Sequence, residues 1–359
     1  MKQNRITVGM AVLIILIIAA PACHRDCPTC PGPPAESDHL FYVANSGKQF
    51  IKTFSAEQRK FIDSINLPIP GFPVGVIDNN EKLAIDDAQG GAYILDLRSR
   101  EIARTFPNTL EIAVSPDSKH LALLGPGTDA YSYRLYLTDI NGSDTIYTDS
   151  MVRFANFSND SRAIAYVHLT QNPSRMELVV YDIDSSKVID KGWKYYNGLE
   201  IVILFWISPS IINGETYFFG STLLGEFLFA AKFGDDTADA VVRCPGSTGV
   251  SFRLNSDDRY LYCALIPGWD DPAYRAIYTV NAVTRGLVDS ISTAIYDHQP
   301  YEMAITWDDK YMISTPFSDV SNNNMILYDL TTRKSLGAYF ITDSTVRTDC
   351  PSWAVTKSR

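Results

Sequence analysis

The chain has 359 residues, of which 46% are hydrophobic, 20% charged and 12% aromatic, and its formal net charge is −10. This composition is that of a globular protein and excludes disordered and fibrous classes. The acidic balance argues against nucleic-acid binding, which needs a basic footprint, and against docking onto anionic lipid headgroups. Aromatic and β-branched residues are abundant and no long stretch has a helical period, which favours an all-β fold.

The amino terminus has the plan of an export signal. Lys2 and Arg5 form a short positive region, an uncharged apolar run follows, and small residues precede Cys23. This order is typical of a secretory signal peptide. Residues 20–23, Ala-Pro-Ala-Cys, resemble a bacterial lipobox, which implies a lipoprotein-type signal peptide over 1–22 and lipidation of Cys23. An uncleaved anchor helix and plain secretion are the alternatives, and all three place the folded part outside the cytoplasm.

Residues 23–39 are interpreted as a flexible tether. The segment 24–38 carries four prolines and no apolar periodicity, as an extended linker does. Cys27 and Cys30 form a CxxC pair, which in other contexts indicates redox chemistry or half of a zinc site. No βαβ pattern surrounds the pair and no second CxxC exists, so a disulfide or two idle thiols in an oxidising compartment is the interpretation.

A unit of four strands repeats along the rest of the chain. Its clearest copy begins at residue 111 with a short strand, a Pro-Asp turn and a second strand, and its third strand ends at Asp139. The first turn recurs at residues 79–82, 158–161, 208–210, 256–259 and 307–310. The third strand ends at the same kind of residue in five units, with spacings of 43, 43, 99 and 48 residues: Asp96, Asp139, Asp182, Asn281 and Asp329. The long spacing hides a degenerate unit at 202–244.

A four-stranded unit of this length matches one blade of a β-propeller. The chain enters at residues 40–44, 49–55 and 60–67, which correspond to the last three strands of a blade. Residues 349–355, including Trp353, supply the missing inner strand. The sequence therefore predicts an all-β, seven-bladed β-propeller over 40–359, closed by pairing of the carboxyl-terminal strand with the amino-terminal blade, which removes free sheet edges.

The turn motif at residues 115–119, Ser-Pro-Asp-Ser-Lys, resembles that of the TolB-like and YVTN propellers, and more loosely that of the WD-repeat propellers. The resemblance covers residues 40–359 and implies the fold without naming a function. TolB-like units usually carry glycine where Ser118 stands, and no TolB-type amino-terminal domain precedes these repeats.

The motifs of the common catalytic classes are absent from the sequence. There is no Gly-x-Ser-x-Gly elbow, sialidase-type Asp box, Walker loop or His-Glu-x-x-His, so no catalytic residue, metal or cofactor is assigned. The aspartate that ends each third strand is interpreted as an Asx turn that satisfies backbone amides. His168 and His298 are expected on one face of the propeller. Cys244, Cys263 and Cys350 are expected to be buried thiols.

The two faces of the predicted propeller differ in their connections. The turn face carries short, regular turns between first and second strands, around Lys119, Arg162 and Lys310. The loop face carries long, varied loops at 125–133, 168–174, 267–274 and 315–324, so we expect any ligand to bind there. The candidate residues are aromatic, acidic or imidazole side chains: Tyr131, Tyr133, His168, Trp193, Tyr195, Tyr196, Trp269, Asp270, Asp271, Tyr274, Phe317 and Asp319.

The leading hypothesis is a binding scaffold for a protein, peptide or glycan, lipid-anchored to a membrane of the bacterial cell envelope and facing the periplasm or the surface. A propeller enzyme of lactonase or quinoprotein-dehydrogenase type is the first alternative, and it rests on fold analogy. A structural partner in envelope assembly is the second alternative. No nucleic-acid partner is expected.

Overall fold

A computed structural model describes residues 39–45, 49–78, 80–87, 89–127, 133–171, 174–196, 199–200, 203–212, 215–222, 227–243, 247–267, 276–294, 300–316, 324–341 and 352–356. The chain divides into two units, Met1–Asp38 and His39–Arg359, and every described residue belongs to the second. Among the described residues, no helix has the length and apolar character needed to cross a bilayer.

The described part of the chain is all-β and consists of antiparallel sheets. Five of them have four strands, in the orders β29-β1-β2-β3, β4-β5-β6-β7, β17-β18-β19-β20, β21-β22-β23-β24 and β25-β26-β27-β28. Their strands in chain order are β1 Leu40–Asn45, β2 Phe50–Ser55, β3 Lys60–Asn66, β4 Gly71–Ile77, β5 Lys82–Asp87, β6 Gly91–Asp96, β7 Ile102–Pro107, β17 Ile203–Ile212, β18 Glu215–Thr222, β19 Phe227–Lys232, β20 Ala238–Arg243, β21 Ser247–Leu254, β22 Tyr260–Pro267, β23 Ala276–Asn281, β24 Leu287–Ser292, β25 Pro300–Ile305, β26 Tyr311–Pro316, β27 Asn324–Asp329, β28 Lys334–Phe340 and β29 Ser352–Thr356.

One long strand joins two of the repeating units into a single seven-stranded sheet. Its strands are β8 Glu111–Val114, β9 His120–Pro126, β10 Tyr133–Asp139, β11 Thr145–Phe157, β12 Ala163–Gln171, β13 Ser174–Asp182 and β14 Lys187–Gly192. β11 pairs with β10 through its first half and with β12 through its second half. Positive φ angles at Met151 and Phe154 mark the irregular points of its register. The hairpin of β15 Tyr195–Tyr196 and β16 Leu199–Glu200 follows.

The first strands of the sheets pack on one another in succession. β4 contacts β8, β8 contacts β11, and β11 contacts β17; β17 contacts β21, β21 contacts β25, β25 contacts β29, and β29 contacts β4. β29 also pairs antiparallel with β1, with Phe41 opposite Thr356 and Ala44 opposite Trp353. The architecture is therefore propeller-like, with sheets stacked face to face.

Strand β1 shows why the sheets stack on both sides. Phe41 and Val43 pack into a core shared with β26 and β27, while Tyr42 and Ala44 pack into a core shared with β4–β6. Successive side chains of a strand point to opposite faces. A strand buried on both faces therefore reads as a continuous apolar run, as residues 40–44 do.

The turn chemistry predicted from the sequence is confirmed at most positions. All five aspartate or asparagine residues that were expected to end a third strand do so, at the ends of β6, β10, β13, β23 and β27. Their side-chain oxygens accept backbone N–H bonds inside the following turn, as Asp139 Oδ1 does from Ser143 at 2.6 Å. The same Asx bonding occurs at Asp96, Asp182, Asn281 and Asp329.

The turn predicted at residues 208–210 is wrong. Ser208, Pro209 and Ser210 lie inside β17, opposite Tyr217–Phe219 of β18. Proline lacks the N–H that an interior strand needs, so it usually marks a turn. Among the described strands β17 pairs only with β18, and a strand with one unpaired edge tolerates proline there.

Four turns between first and second strands share one set of side-chain bonds on the turn face. A Ser, Thr or Asn side chain donates to an aspartate two residues later, at 2.6–2.8 Å: Ser115 to Asp117, Ser158 to Asp160, Asn255 to Asp257 and Thr306 to Asp308. The next residue has a positive φ in each: Ser118, Ser161, Asp258 and Asp309. These local bonds make the turn face regular.

The positive-φ residue of three of these turns bonds to a neighbouring turn, which belongs to another sheet for Asp258 and Asp309 and to the same seven-stranded sheet for Ser161. The Ser161 hydroxyl accepts the Asp117 N–H at 2.9 Å, and Asp258 Oδ1 accepts from the Asn159 amide at 2.6 Å. Glycine would remove the conformational cost of a positive φ but would also remove these bonds. The serine or aspartate side chains at three of these four positions thus add contacts between turns.

Candidate ligand-binding face

A cleft of about 360 Å³ opens between the sheet β4–β7 and the sheet that begins with β8. Its walls are residues 105–109, Leu123, Gly125 and Pro126, and the Tyr136 ring. β7 ends at Pro107 and β9 ends at Pro126, so the cleft lies where the β9–β10 loop leaves the sheet. This is the loop face. The volume falls within the usual range of small-ligand sites, and none of the lining residues is charged.

A pair of carboxyl groups, Asp86 and Glu111, lies where β5 packs on β8, and Glu111 is close to the cleft along the chain. Asp86 is buried near the end of β5, and its Oδ1 accepts the backbone N–H of Ile112 in β8 at 3.0 Å. Glu111 is half-buried at the start of β8, two residues after the cleft residue Thr109. Asp86 therefore connects the sheet β4–β7 to the sheet that begins with β8, and its carboxyl group lies near that of Glu111.

The environment of this pair favours the protonated forms. Burial, followed by the charge of Glu111, holds the pKa of Asp86 well above its usual range. Burial raises the pKa of Glu111 to about 7. Two close carboxyl groups that lose water resist double ionisation, so the pair can hold a proton near neutral pH. Perturbed carboxyl groups of this kind are typical of functional sites.

A second polar group lies where β10, β11 and β12 meet. Tyr133 and His168, both predicted site residues, lie opposite the same residue of β11, Val152, one on each side of that strand. His168 Nδ1 lies 3.4 Å from Asp149 Oδ2. Asp149 Oδ2 also accepts a hydrogen bond from the Tyr166 hydroxyl at 2.7 Å.

The tyrosine hydroxyls extend this group into the core. The Tyr166 and Tyr147 hydroxyls are 2.7 Å apart, and the Tyr147 ring stacks on Tyr181. Burial alone would raise the pKa of Asp149, but the nearby His168 ring and the hydrogen bond from Tyr166 hold it below its ordinary value. Burial raises the pKa of Tyr166, and its bonds to Tyr147 and Asp149 raise it further. The group holds an ionised carboxylate beside a histidine that is still 18% exposed.

The connection containing Trp193 and Tyr195 lies elsewhere. The Tyr195 N–H donates to the carbonyl of Asp236, and the buried Lys194 donates to the carbonyl of Asp235, both in the β19–β20 turn. That turn joins the third and fourth strands of its sheet, so it lies at the end opposite the β18–β19 loop, which is the turn face. The structure therefore does not bring Trp193 and Tyr195 to Tyr133 and His168.

The remaining predicted site residues lie outside the described part of the chain. They are Tyr131, Trp269, Asp270, Asp271, Tyr274, Phe317 and Asp319, together with the Tyr196 side chain, Cys23 and His298. The Trp353 side chain, Cys27, Cys30, Cys244 and Cys350 also lie outside it. Cys263 is fully buried in a core with Phe219 and Phe252, as expected of it. Within the described ranges, no three His, Cys, Asp or Glu side chains form a metal-binding group.

The residues that sequence reasoning missed are carboxylates inside strands. Asp86, Glu111 and Asp149 each lie within a β-strand rather than in a loop. A charged residue in a strand that is otherwise buried on both faces is uncommon, and a buried charged group is more informative than an exposed one. That signal was present in residues 82–87, Lys-Leu-Ala-Ile-Asp-Asp, and its partner Glu111 could be found only from the stacking of two sheets.

Comparison with known proteins identifies a fold. No protein-family model and no curated protein matches the chain. Dihydro-heme d1 dehydrogenase NirN in complex with DHE is similar in structure at a TM-score of 0.60 and 13% identity, over 91% of this chain and 77% of that one. Apo AztD from Citrobacter koseri is similar at 0.55 and 12%, over 90% and 99%. Kuenenia stuttgartiensis hydrazine synthase is similar at 0.53 and 10%, over 85% and 99%. At such identities the likeness shows the fold alone, which is β-propeller-like.

Proposed function

We propose that this chain is a seven-bladed β-propeller that acts as a binding scaffold for a peptide or glycan and is lipid-anchored in the bacterial cell envelope. Each four-stranded sheet is one blade, and the seven-stranded sheet is two blades joined by β11. The pairing of β29 with β1 and the contact of β29 with β4 support closure of the ring at the chain ends.

The cleft between β7 and β9 carries the proposal of a binding function. Its walls combine two aromatic side chains, two prolines and uncharged polar residues that include Asn108 and Thr109. Such a surface fits an extended, neutral ligand that offers hydroxyl or amide groups, because rings supply rigid contact area and the polar groups fix orientation. Asn108 has a φ of 60°, a left-handed conformation that asparagine adopts more readily than most residues, and it forms the turn at the end of β7.

The test is to fill the cleft without touching the core. Thr105 is exposed on β7 and lines the cleft, so Thr105→Tyr should obstruct it. Ser290→Tyr is the matched control, because Ser290 is the exposed residue one position before the buried Ile291 of β24, as Thr105 is before the buried Phe106. The complete chain, purified in detergent, is screened on peptide and glycan arrays.

We expect wild type and Ser290→Tyr to bind the same array members and Thr105→Tyr to lose at least tenfold in affinity, about 1.4 kcal/mol. Equal binding by Thr105→Tyr at an unchanged melting temperature would remove the cleft from the proposal. Absence of wild-type binding to every peptide and glycan would contradict the ligand class.

The membrane anchor has its own test at Cys23. The proposal expects fatty-acid labelling of the wild-type protein and loss of the first 22 residues. Cys23→Ser should abolish the labelling. Unchanged labelling of Cys23→Ser, or an intact leader on the purified wild type, would refute the lipoprotein assignment.

An enzyme using acid–base chemistry is the second candidate, and the Asp86–Glu111 pair is the observation in its favour. A carboxyl group with a pKa of about 7 can both donate and accept a proton near neutral pH. This candidate predicts that Glu111→Gln abolishes turnover of ligands found on the arrays while leaving their binding within about twofold. If wild type leaves every bound ligand chemically unchanged, the enzyme candidate is refuted and the scaffold remains.

A further inference from the structure

On the turn face, far from the cleft, one histidine lies between two carboxylates from different sheets. His39 directly precedes β1, Glu57 lies in the β2–β3 turn, and Asp308 lies in the β25–β26 turn. His39 Nδ1 contacts Glu57 Oε1, and His39 Nε2 lies 3.0 Å from Asp308 Oδ2. The His39 backbone N–H also donates to Glu57 Oε2 at 2.9 Å. We call these three residues the clasp.

The proton count of the clasp depends on pH. A neutral imidazole has one N–H donor and one acceptor nitrogen, whereas an imidazolium has two donors. Both ring nitrogens of His39 face carboxylate oxygens, which only accept hydrogen bonds when ionised. Both bonds can therefore form only while His39 carries both protons. Loss of one proton turns one of the two contacts into a repulsion between lone pairs.

The surroundings keep the carboxylates ionised. Burial alone would raise the pKa of Glu57, but the bonds from His39 hold it below its ordinary value. Burial also opposes ionisation of Asp308, and the bonds from Thr306, the Lys310 N–H and His39 lower its pKa. The other groups at the site are Tyr311, whose ring meets the His39 ring edge-on, and Lys310, whose ammonium lies over the Tyr311 ring and attracts both carboxylates.

We propose that the clasp is a proton-controlled connection between the sheet β29-β1-β2-β3 and the sheet β25–β28, closed in mildly acidic surroundings and loosened in alkaline ones. The carboxylates stabilise this connection at pH values above their ordinary titration range, and they lose this effect in stronger acid. The imidazole stabilises the connection while it carries both protons.

Nuclear magnetic resonance of the complete chain in detergent tests the protonation directly. Long-range ¹H–¹⁵N spectra of a ¹⁵N-histidine-labelled sample are recorded at about pH 5.5 and 8.5, on either side of ordinary histidine titration. His39→Gln identifies the signals. We expect both His39 nitrogens to be protonated at the lower pH and one at the higher pH. A neutral ring at the lower pH, or a doubly protonated ring at the higher pH, would overturn the proposal.

Melting temperatures test whether the proton controls the connection. Asp308→Asn keeps the Oδ1 that receives the bonds of its own turn. Asp117→Asn is the matched control in the β8–β9 turn, where no histidine of the described ranges pairs with the aspartate. We expect Asp308→Asn to lower the melting temperature at least twofold more at about pH 5.5 than at about pH 8.5. Asp117→Asn should lower it equally at both. Equal losses for Asp308→Asn at the two pH values would show a connection without a switch.

Discussion

The two ends of the sheets use polar side chains in opposite ways. On the turn face, Asp309 accepts three hydrogen bonds from Asn255 and Ser256 of another sheet, and nearby turns repeat the same local bonds. On the loop face, Asp86 and Glu111 lose water near each other, and their pKa values rise. The bonds of Asp309 on the turn face therefore add stability, whereas ionisation of the Asp86–Glu111 pair on the loop face costs stability. A fold retains costly groups where they serve a site.

The largest effect is expected at the seam between the chain ends. Deleting residues 349–359 removes β29, leaves β1 without a partner on one side and removes the contacts of β29 with β4 and β25. We expect an aggregated product without a cooperative thermal transition, because an unpaired edge and an exposed core remain. The control deletes 357–359, which follow the last strand. A deletion variant with the wild-type melting temperature would contradict closure of the ring.

The next largest effect is a loss of stability on substituting Asp309, a turn-face residue that bonds to another sheet. Asp309→Ala removes three bonds between sheets, so we expect a loss of about 3 kcal/mol in the free energy of unfolding. Chemical denaturation at neutral pH measures it. A loss below about 0.5 kcal/mol, as for an ordinary surface position, would show that the bonds of Asp309 to the other sheet do not stabilise the fold.

A substitution on the loop face, Glu111→Gln, is expected to raise the free energy of unfolding rather than lower it. A carboxyl pKa that is higher in the native than in the unfolded state makes ionisation destabilising, so stability falls as the pH rises from 4.5 through about 7. Glu111→Gln removes the ionisation. We expect it to raise the free energy of unfolding by about 2 kcal/mol at pH 8, the full value for the shift being reduced for a half-buried group.

Below about pH 4.5, where wild-type Glu111 is protonated, the same substitution should leave stability unchanged. Urea denaturation across the pH range measures the difference. A constant difference at all pH values would mean that Glu111 titrates normally.

The smallest effect is expected at Ser118. It has a φ of 58° but, among the described residues, no hydrogen bond of its side chain to another sheet is found. Ser118→Gly removes the conformational cost alone and should stabilise by about 0.5–1 kcal/mol. A destabilisation comparable to that of Asp309→Ala would place Ser118 in the same class of contacts.

The sequence predicted the turn face well because its signals are local. A third strand that ends at Asp139 or Asp329 requires only the residues of its own turn, so reading the turn chemistry was sufficient. The turn at 208–210 was mispredicted because proline is tolerated in β17, whose unpaired edge is a property of the assembled sheet. The passage of β11 from one unit to the next was also missed, because Asp149 and Ser150 near the change of partner are residues typical of turns.

The loop face could be predicted only in part because its groups come from different sheets. Asp86 meets Glu111 and Ile112 through the stacking of β5 on β8, and no spacing in the chain reveals that contact. His168 was selected for its chemistry and its end of the strand, but its partner Asp149 depends on the register of β11. The position of Trp193 and Tyr195 depends on how their connection packs against the β19–β20 turn, which composition does not show.

Site-specific photocrosslinking in intact cell envelope tests most directly the proposal that the loop face, and not the turn face, binds the ligand. A benzoylphenylalanine residue is placed at Asn108 in the cleft or at Lys119 on the turn face, both exposed positions. The expected result is a discrete crosslinked adduct from position 108 and none from position 119. An adduct from position 119 alone would contradict the assignment of ligand binding to the loop face.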